Sequence, residues 1–187
     1  MWYTYAQENV EKFSHPLLRY LAAEARKCET FEEFKHDYIN DIKHGVYWHI
    51  TRSPNFAIDP SRGPTDRSTM SDGRTNTGKL MITSHPEYWD SHYNYDSENE
   101  QRHPADDPYS RPYAAMIDMS EVPRDKYQQV NRGFGNEMMV HDIQNARVDR
   151  ILPVEEALKL DEEYYGFIPN TEDELKQFYI LARRGLI

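Results

Sequence analysis

Three separated stretches of the chain hold the residues whose types and spacing could do chemistry. The first, Gly45-Val-Tyr-Trp-His-Ile-Thr51, is a short apolar run with His49 in its middle. An inward polar residue on a buried strand needs a reason, because an unpaired polar group away from water costs about 1–3 kcal/mol. His49 is therefore either satisfied by the fold or used by a ligand. The second stretch, Lys79-Leu-Met-Ile-Thr-Ser84, ends in two hydroxyls and runs into an aromatic cluster of Tyr88, Trp89 and Tyr93 with His92. The third, Gly133-Phe-Gly-Asn-Glu-Met-Met-Val140, is strand-like and carries a carboxylate, Glu137, at the strand's start. Each has a plain structural reading as well: a core histidine with a partner, rings that cover the core, and an exposed strand-end carboxylate.

Other chemistries find less support. His85, His92 and His103 with Asp90, Asp96 and Asp106 are metal-ligating types, but their spacing fits neither paired cysteines nor a His-x-x-x-His helix pair, so no metal is expected. Cys28 sits in an amphipathic segment without a nucleophile signature, and no Gly-x-Ser-x-Gly elbow occurs. There is no P-loop and no Gly-x-Gly-x-x-Gly fingerprint, so a nucleotide would need a different kind of cleft.

The elements that must position these residues follow from periodicity. Leu17, Leu18, Leu21, Ala22 and Ala25 repeat at helical spacing and predict a helix over 14–28, with Ser14 as cap and Pro16 in the first turn. Thr30 followed by Glu33 is a capping box for a second helix, whose stripe of Phe31, Phe34, Tyr38 and Ile42 ends at Gly45. Residues 53–78 read as a long functional loop carrying Arg62, Arg67 and Arg74. A strand over 80–83 and a short helix from His85-Pro86 come next, then a polar excursion over 90–112. A strand over 111–119, a loop over 121–135, and strands over 137–140 and 148–152 complete the sheet. A helix follows Pro153, and Thr171 with Glu174 caps a last helix that closes at Arg183, Arg184 and Gly185. Helices first, then short strands split by long loops, then helices again indicate an α+β fold.

With 187 residues a single domain is expected, comprising a helical cap over 1–44, a core over 45–158 and a C-terminal helical segment over 159–187. Mean hydropathy of -0.92 is low, yet 14 Tyr, 7 Phe and 3 Trp supply the buriable surface that a disordered chain lacks. A net charge of -10 opposes diffuse attraction to a phosphate backbone, so a nucleic-acid partner would need a local basic patch. One cysteine permits no internal disulfide, and no apolar run is long enough to span a membrane; a cytoplasmic, non-membrane protein is the expectation.

The ordered set of a Tyr-x-His-x-Thr strand, a strand ending in Thr-Ser before a tyrosine-bearing helix, and a strand opening with Glu resembles the histidine, tyrosine/serine, glutamate pattern of the ADP-ribosyltransferase superfamily. That group includes poly(ADP-ribose) polymerases, diphtheria-type toxins and bacterial toxins that modify DNA. The resemblance spans residues 45–158 and implies a split antiparallel β-sandwich with flanking N- and C-terminal helices. It implies NAD as substrate, with no metal. His49 would bond the adenosine-side ribose, with Ile50 and Thr51 lining the same cleft. Thr83 and Ser84 would orient the nicotinamide end, on which Tyr93, Tyr88 or Trp89 would stack, Tyr93 being favoured by spacing. Glu137 would be the catalytic carboxylate. The 125–136 loop would recognise the target, through Tyr127, Gln129 and Arg132 among others. Arginine-modifying members carry Glu or Gln two residues before the catalytic Glu, where this chain has Gly135. The implied function is a mono-ADP-ribosyltransferase, a bacterial or phage effector or toxin, acting on a protein target by preference, with nucleic acid left open. An inhibitor or antitoxin protein is a conceivable partner. The alternatives are an NAD glycohydrolase and a non-catalytic interaction module on the same fold.

Overall fold

The computed structural model describes residues 10–39, 46–59, 63–64, 79–96, 98, 101–104, 106–108, 110–131, 137–141 and 143–187. Two compact units divide the chain: residues 1–46 with 162–187, and residues 47–161.

The first unit is helical. Helix α1 (Leu18–Lys27) and helix α2 (Phe31–Ile39) come from the front of the chain, and α5 (Glu172–Arg183) from its end. The aromatic residues of the amphipathic stripes meet: Phe13 and Phe34 pack on Phe178 at 5.1 and 6.4 Å between ring centroids, and Phe34 also stacks on Tyr179 at 5.6 Å. The hydroxyl half of both expected capping boxes forms, while each glutamate carboxylate accepts from the amide one residue before the threonine, Glu29 and Asn170. Thr30 Oγ1 accepts from the Glu33 amide and Thr171 Oγ1 from the Glu174 amide, each at 3.2 Å. Ser14 does not cap α1, whose N-cap position is Leu17; the Leu17 amide instead donates to His15 Nδ1 at 3.3 Å. At the other end Gly185 takes φ +67°, the left-handed conformation that closes a helix without a Cβ clash. Ile42 and Gly45, expected at the end of α2, lie outside the described residues.

The second unit is built on one antiparallel sheet. In chain order its strands are β1 (Tyr47–Thr51), β4 (Leu80–Thr83), β7 (Tyr113–Asp118), β8 (Tyr127–Asn131), β9 (Glu137–Val140) and β10 (Arg147–Pro153); in space the order is β10-β7-β1-β4-β9-β8. Two small ladders lie outside it, β2 (Ile58–Asp59) with β3 (Gly63–Pro64), and β5 (Tyr95–Asp96) with β6 (Gln101–Arg102). The helices of this unit are α3 (Pro86–Asn94) and the start of α4 (Val154–Tyr165). The architecture is α+β. Among the described residues no helix is long and apolar enough to cross a membrane.

Pairing within the sheet is uneven. β1 pairs along its whole length with β7, from Tyr47 opposite Ile117 to Thr51 opposite Tyr113. β4 likewise pairs fully with β9, from Leu80 opposite Val140 to Thr83 opposite Glu137. Between β1 and β4 the only registered pair is Trp48 opposite Thr83. Two three-stranded halves, β10-β7-β1 and β4-β9-β8, are thus joined at a single point. Burial keeps them formed: Trp48, Leu80, Ala114, Met116, Ile117 and Val140 are all fully buried.

Two expectations are corrected here. Residues 127–131 lie in edge strand β8 and not in a loop, because β9 offers them a ladder along Tyr127 to Asn131. The polar excursion begins only after Asn94, since α3 continues through Asp90 to Asn94, and it then folds back as the β5–β6 ladder.

Trp48 anchors the join. Its indole N–H donates to Asp161 Oδ1 at 3.2 Å, and burial pushes the Asp161 carboxyl up to about 7; the indole bond opposes that shift and nearby Glu87 adds to it. A carboxyl whose folded-state pKa lies above its unfolded one contributes stability that is complete below the unfolded value and lost as pH rises through about 7. Asp161→Asn keeps an acceptor for the indole and removes the buried charge. Its stability relative to the parent should therefore rise between pH 5 and pH 8, by an amount on the order of a few kcal/mol. Urea titrations at the two pH values measure this, and a pH-independent difference would contradict it.

Candidate active site

Thr83 and Glu137, both singled out in the sequence, stand side by side at the one place where β1 and β4 are joined. Facing residues of an antiparallel ladder share a face. Trp48 opposite Thr83, and Thr83 opposite Glu137, therefore set these three side chains on one face. Glu137 is half-buried, with Thr83 beside it on β4 and Asn131 registered with it on β8. The β8 register shifts between Gln129 and Asn131, a bulge of the kind that re-aims a strand end.

Continuing the single β1–β4 pair by two residues would set Ile50 opposite Met81, but that pair is not made. The Met81 carbonyl accepts instead from His49 Nδ1 at 2.7 Å, and Arg111 Nη1 lies 3.5 Å from the Ile50 carbonyl. Alternation starts His49 from the face opposite Glu137, and its ring turns toward the parting strand to reach Met81. A carbonyl only accepts, so the proton of a neutral His49 sits on Nδ1 and Nε2 is the acceptor nitrogen. Phe56 stacks on the same ring at 4.5 Å. The inward histidine is thus held by the fold. Thr51 is fully buried, its Oγ1 accepting from the Ser53 amide at 3.2 Å.

Helix α3 packs on β1 and carries the aromatic cluster on an unusual plan. Its buried positions, Pro86, Asp90 and Asn94, recur every four residues and are mostly polar, whereas Tyr88, Trp89 and Tyr93 are half-exposed. The buried polar face is fully bonded. Asn94 Nδ2 donates to Asp90 Oδ1 and to the Arg111 carbonyl, both at 2.8 Å. Asn94 Oδ1 accepts from the Arg111 amide at 2.6 Å and from Ser110 Oγ at 3.2 Å. Arg102 clamps both oxygens of Asp90, at 2.9 and 2.6 Å. This network pins the segment entering β7 to the end of α3.

One result of that pinning is the position of Arg111, whose guanidinium carbon lies 3.7 Å from the Tyr93 ring centroid. Trp89 stacks on Tyr93 at 5.0 Å with 8° between planes, and Tyr88 meets Trp89 edge-on at 5.6 Å. Burial pushes the Tyr93 phenol up; Arg111 opposes that, while Glu137 and Tyr88 add to it.

Thr83 Oγ1 accepts from the His85 amide at 2.9 Å, fixing the turn into α3. Ser84 is buried, and its hydroxyl has no hydrogen-bond partner among the described residues. Such a group is costly unless a ligand completes it. Of the residues expected to meet a target, Tyr127 is buried at 6% exposure and belongs to the sheet's packing, Gln129 is half-exposed, and Arg132 lies outside the described residues. So do Gly135 and the loop arginines Arg62, Arg67 and Arg74.

Asp90 is committed to Arg102 and Asn94, so it is not available to the histidine and aspartate set considered for a metal. A different group, Cys28, Glu33 and Asp37, brings its ligand atoms within 4.8 Å of one another in the helical unit. There Glu33 Oε2 already accepts from the Glu29 amide at 2.8 Å, and Cys28 Sγ lies 3.7 Å from Asp37 Oδ2.

Sequence reasoning missed Arg111 and Asn94. Arg111 was read only as the start of a strand, and no local pattern links a helix-end asparagine to a backbone 17 residues on. Asn94→Ala strips partners from a buried carboxylate and from the Arg111 amide. It should cost about 2–4 kcal/mol, measured as a lowered midpoint in urea, and an unchanged midpoint would show that the network carries no stability. Comparison of the chain with models of protein families, with curated proteins and with solved structures finds no match to any of them.

Proposed function

We propose that this protein cleaves NAD at the nicotinamide glycosidic bond and transfers ADP-ribose to a macromolecular acceptor, on an ADP-ribosyltransferase-like split β-sandwich. The observation that carries the reading is the half-buried Glu137 carboxylate, opposite Thr83 at the one place where the two halves of the sheet are joined. Departure of nicotinamide builds positive charge on the ribose, and a fixed anion beside that sugar is worth most at the transition state. In balance, the ribose C1′–nicotinamide bond breaks with its electron pair leaving on nicotinamide, an acceptor nucleophile bonds to C1′, and the acceptor's proton passes to a base or to solvent.

The remaining residues fit supporting roles. Glu137 receives the 2′-hydroxyl of the nicotinamide ribose. Tyr93, Trp89 and Tyr88 are half-exposed rings suited to stacking on a planar heterocycle, the Tyr93 ring being covered by Arg111 in this structure. Ser84 offers a buried hydroxyl still in need of a partner, suited to the carboxamide end. His49, held by the Met81 carbonyl, is assigned to the adenosine ribose. The net charge of -10 favours a protein acceptor over nucleic acid. An effector or toxin of this class would be held in check by an inhibitor protein.

Incubation with NAD labelled in the nicotinamide and in the adenosine tests the reading. Nicotinamide release is expected, and Glu137→Gln should slow it about 100-fold or more while leaving the NAD dissociation constant within about threefold. Transfer of the adenosine label to protein identifies a transferase, and release without transfer identifies water as acceptor. Absence of both turnover and NAD affinity would overturn the proposal in favour of a non-catalytic interaction module.

A further inference from the structure

The cations of the second unit are unequally committed. Arg102 is neutralised by a two-pronged bond to Asp90. Arg111 has no carboxylate partner among the described residues. Its guanidinium rests on the face of Tyr93 at 3.7 Å, with one long contact of 3.5 Å to the Ile50 carbonyl. The backbone on which it stands is nonetheless held firmly, its amide and carbonyl both bonded to the buried Asn94. A half-buried guanidinium on a rigid base, with most of its five donors unspent, is arranged to receive an anion. The protein carries a net charge of -10, so an anionic ligand would be repelled unless a local cation met it.

We infer that Arg111 is the anion-binding residue of this site: its guanidinium takes the diphosphate of the bound dinucleotide and, in moving to it, uncovers the Tyr93 ring for the nicotinamide. The inference rests on the NAD reading proposed above. A charge-assisted, two-pronged bond to phosphate outranks a cation–ring contact at a half-exposed surface, so the exchange runs toward the ligand. Phosphate recognition and access to the stacking face are then one event. A ligand without phosphates would have to displace Arg111 unaided.

The test compares the parent protein with Arg111→Lys and Arg111→Gln, using NAD, ADP-ribose and nicotinamide riboside as probes in titration calorimetry at low and high salt. The expected result is that Arg111→Gln weakens ADP-ribose and NAD by about tenfold or more, with Arg111→Lys in between, and flattens the salt dependence of both. Nicotinamide riboside, which carries no phosphate, should bind Arg111→Gln as well as the parent or better. Equal losses for all three probes would reduce Arg111 to a packing residue and overturn the inference, as would no loss for ADP-ribose. If the parent binds NAD normally and only these contrasts fail, the inference alone falls. If the parent binds neither NAD nor ADP-ribose, the dinucleotide reading falls and takes the inference with it.

Discussion

β1 and β4 touch in register at one place, Trp48 opposite Thr83, and then separate. A sheet cannot simply open in its middle, because each strand leaving the ladder exposes backbone groups that need partners. Side chains reach two of those groups. His49 donates to the Met81 carbonyl, and Arg111 approaches the Ile50 carbonyl. Full pairing of β1 with β7 and of β4 with β9 lets each half stand as a three-stranded unit, so the parting does not unravel either one. The seam between the halves is thus lined by a histidine and an arginine side chain in place of a neighbouring strand.

The helix beside that seam follows from the same constraint. An ordinary amphipathic helix would turn its aromatic residues inward, and α3 turns Asp90 and Asn94 inward instead. Their burial is tolerated because Asn94 is bonded on both atoms of its amide and Asp90 is clamped by Arg102. The rings of Tyr88, Trp89 and Tyr93 are thereby left half-exposed. That arrangement gives up hydrophobic burial, and a planar ligand would recover it. The join itself rests on Trp48 and on a carboxyl at Asp161 that burial discourages from ionising.

Much of this was legible in the residues. Apolar runs marked β1, β4, β7 and β9, and the Thr-x-x-Glu patterns at Thr30 and Thr171 marked two helix starts, because each of these signals is local. Edge strand β8 was not legible: Tyr-Gln-Gln-Val-Asn has too little apolar alternation, and its strand character comes from pairing with β9. The partner of His49 lies 32 residues away, and that of Asn94 lies 17 residues away, so neither bond leaves a trace in spacing. The guanidinium seated on Tyr93 followed from nothing in the linear pattern. Local patterns gave the order of helices and strands; tertiary hydrogen bonds set what surrounds them.

The central claim is that the parting of β1 from β4 is the seat of ligand binding. Backbone amide NMR of the labelled protein during titration with NAD tests it most directly. The account predicts shifts concentrated at residues 48–51, 81–84, 88–93, 111 and 137–138, growing and saturating together. Shifts confined to the helices of the first unit, or none at millimolar NAD, would contradict it.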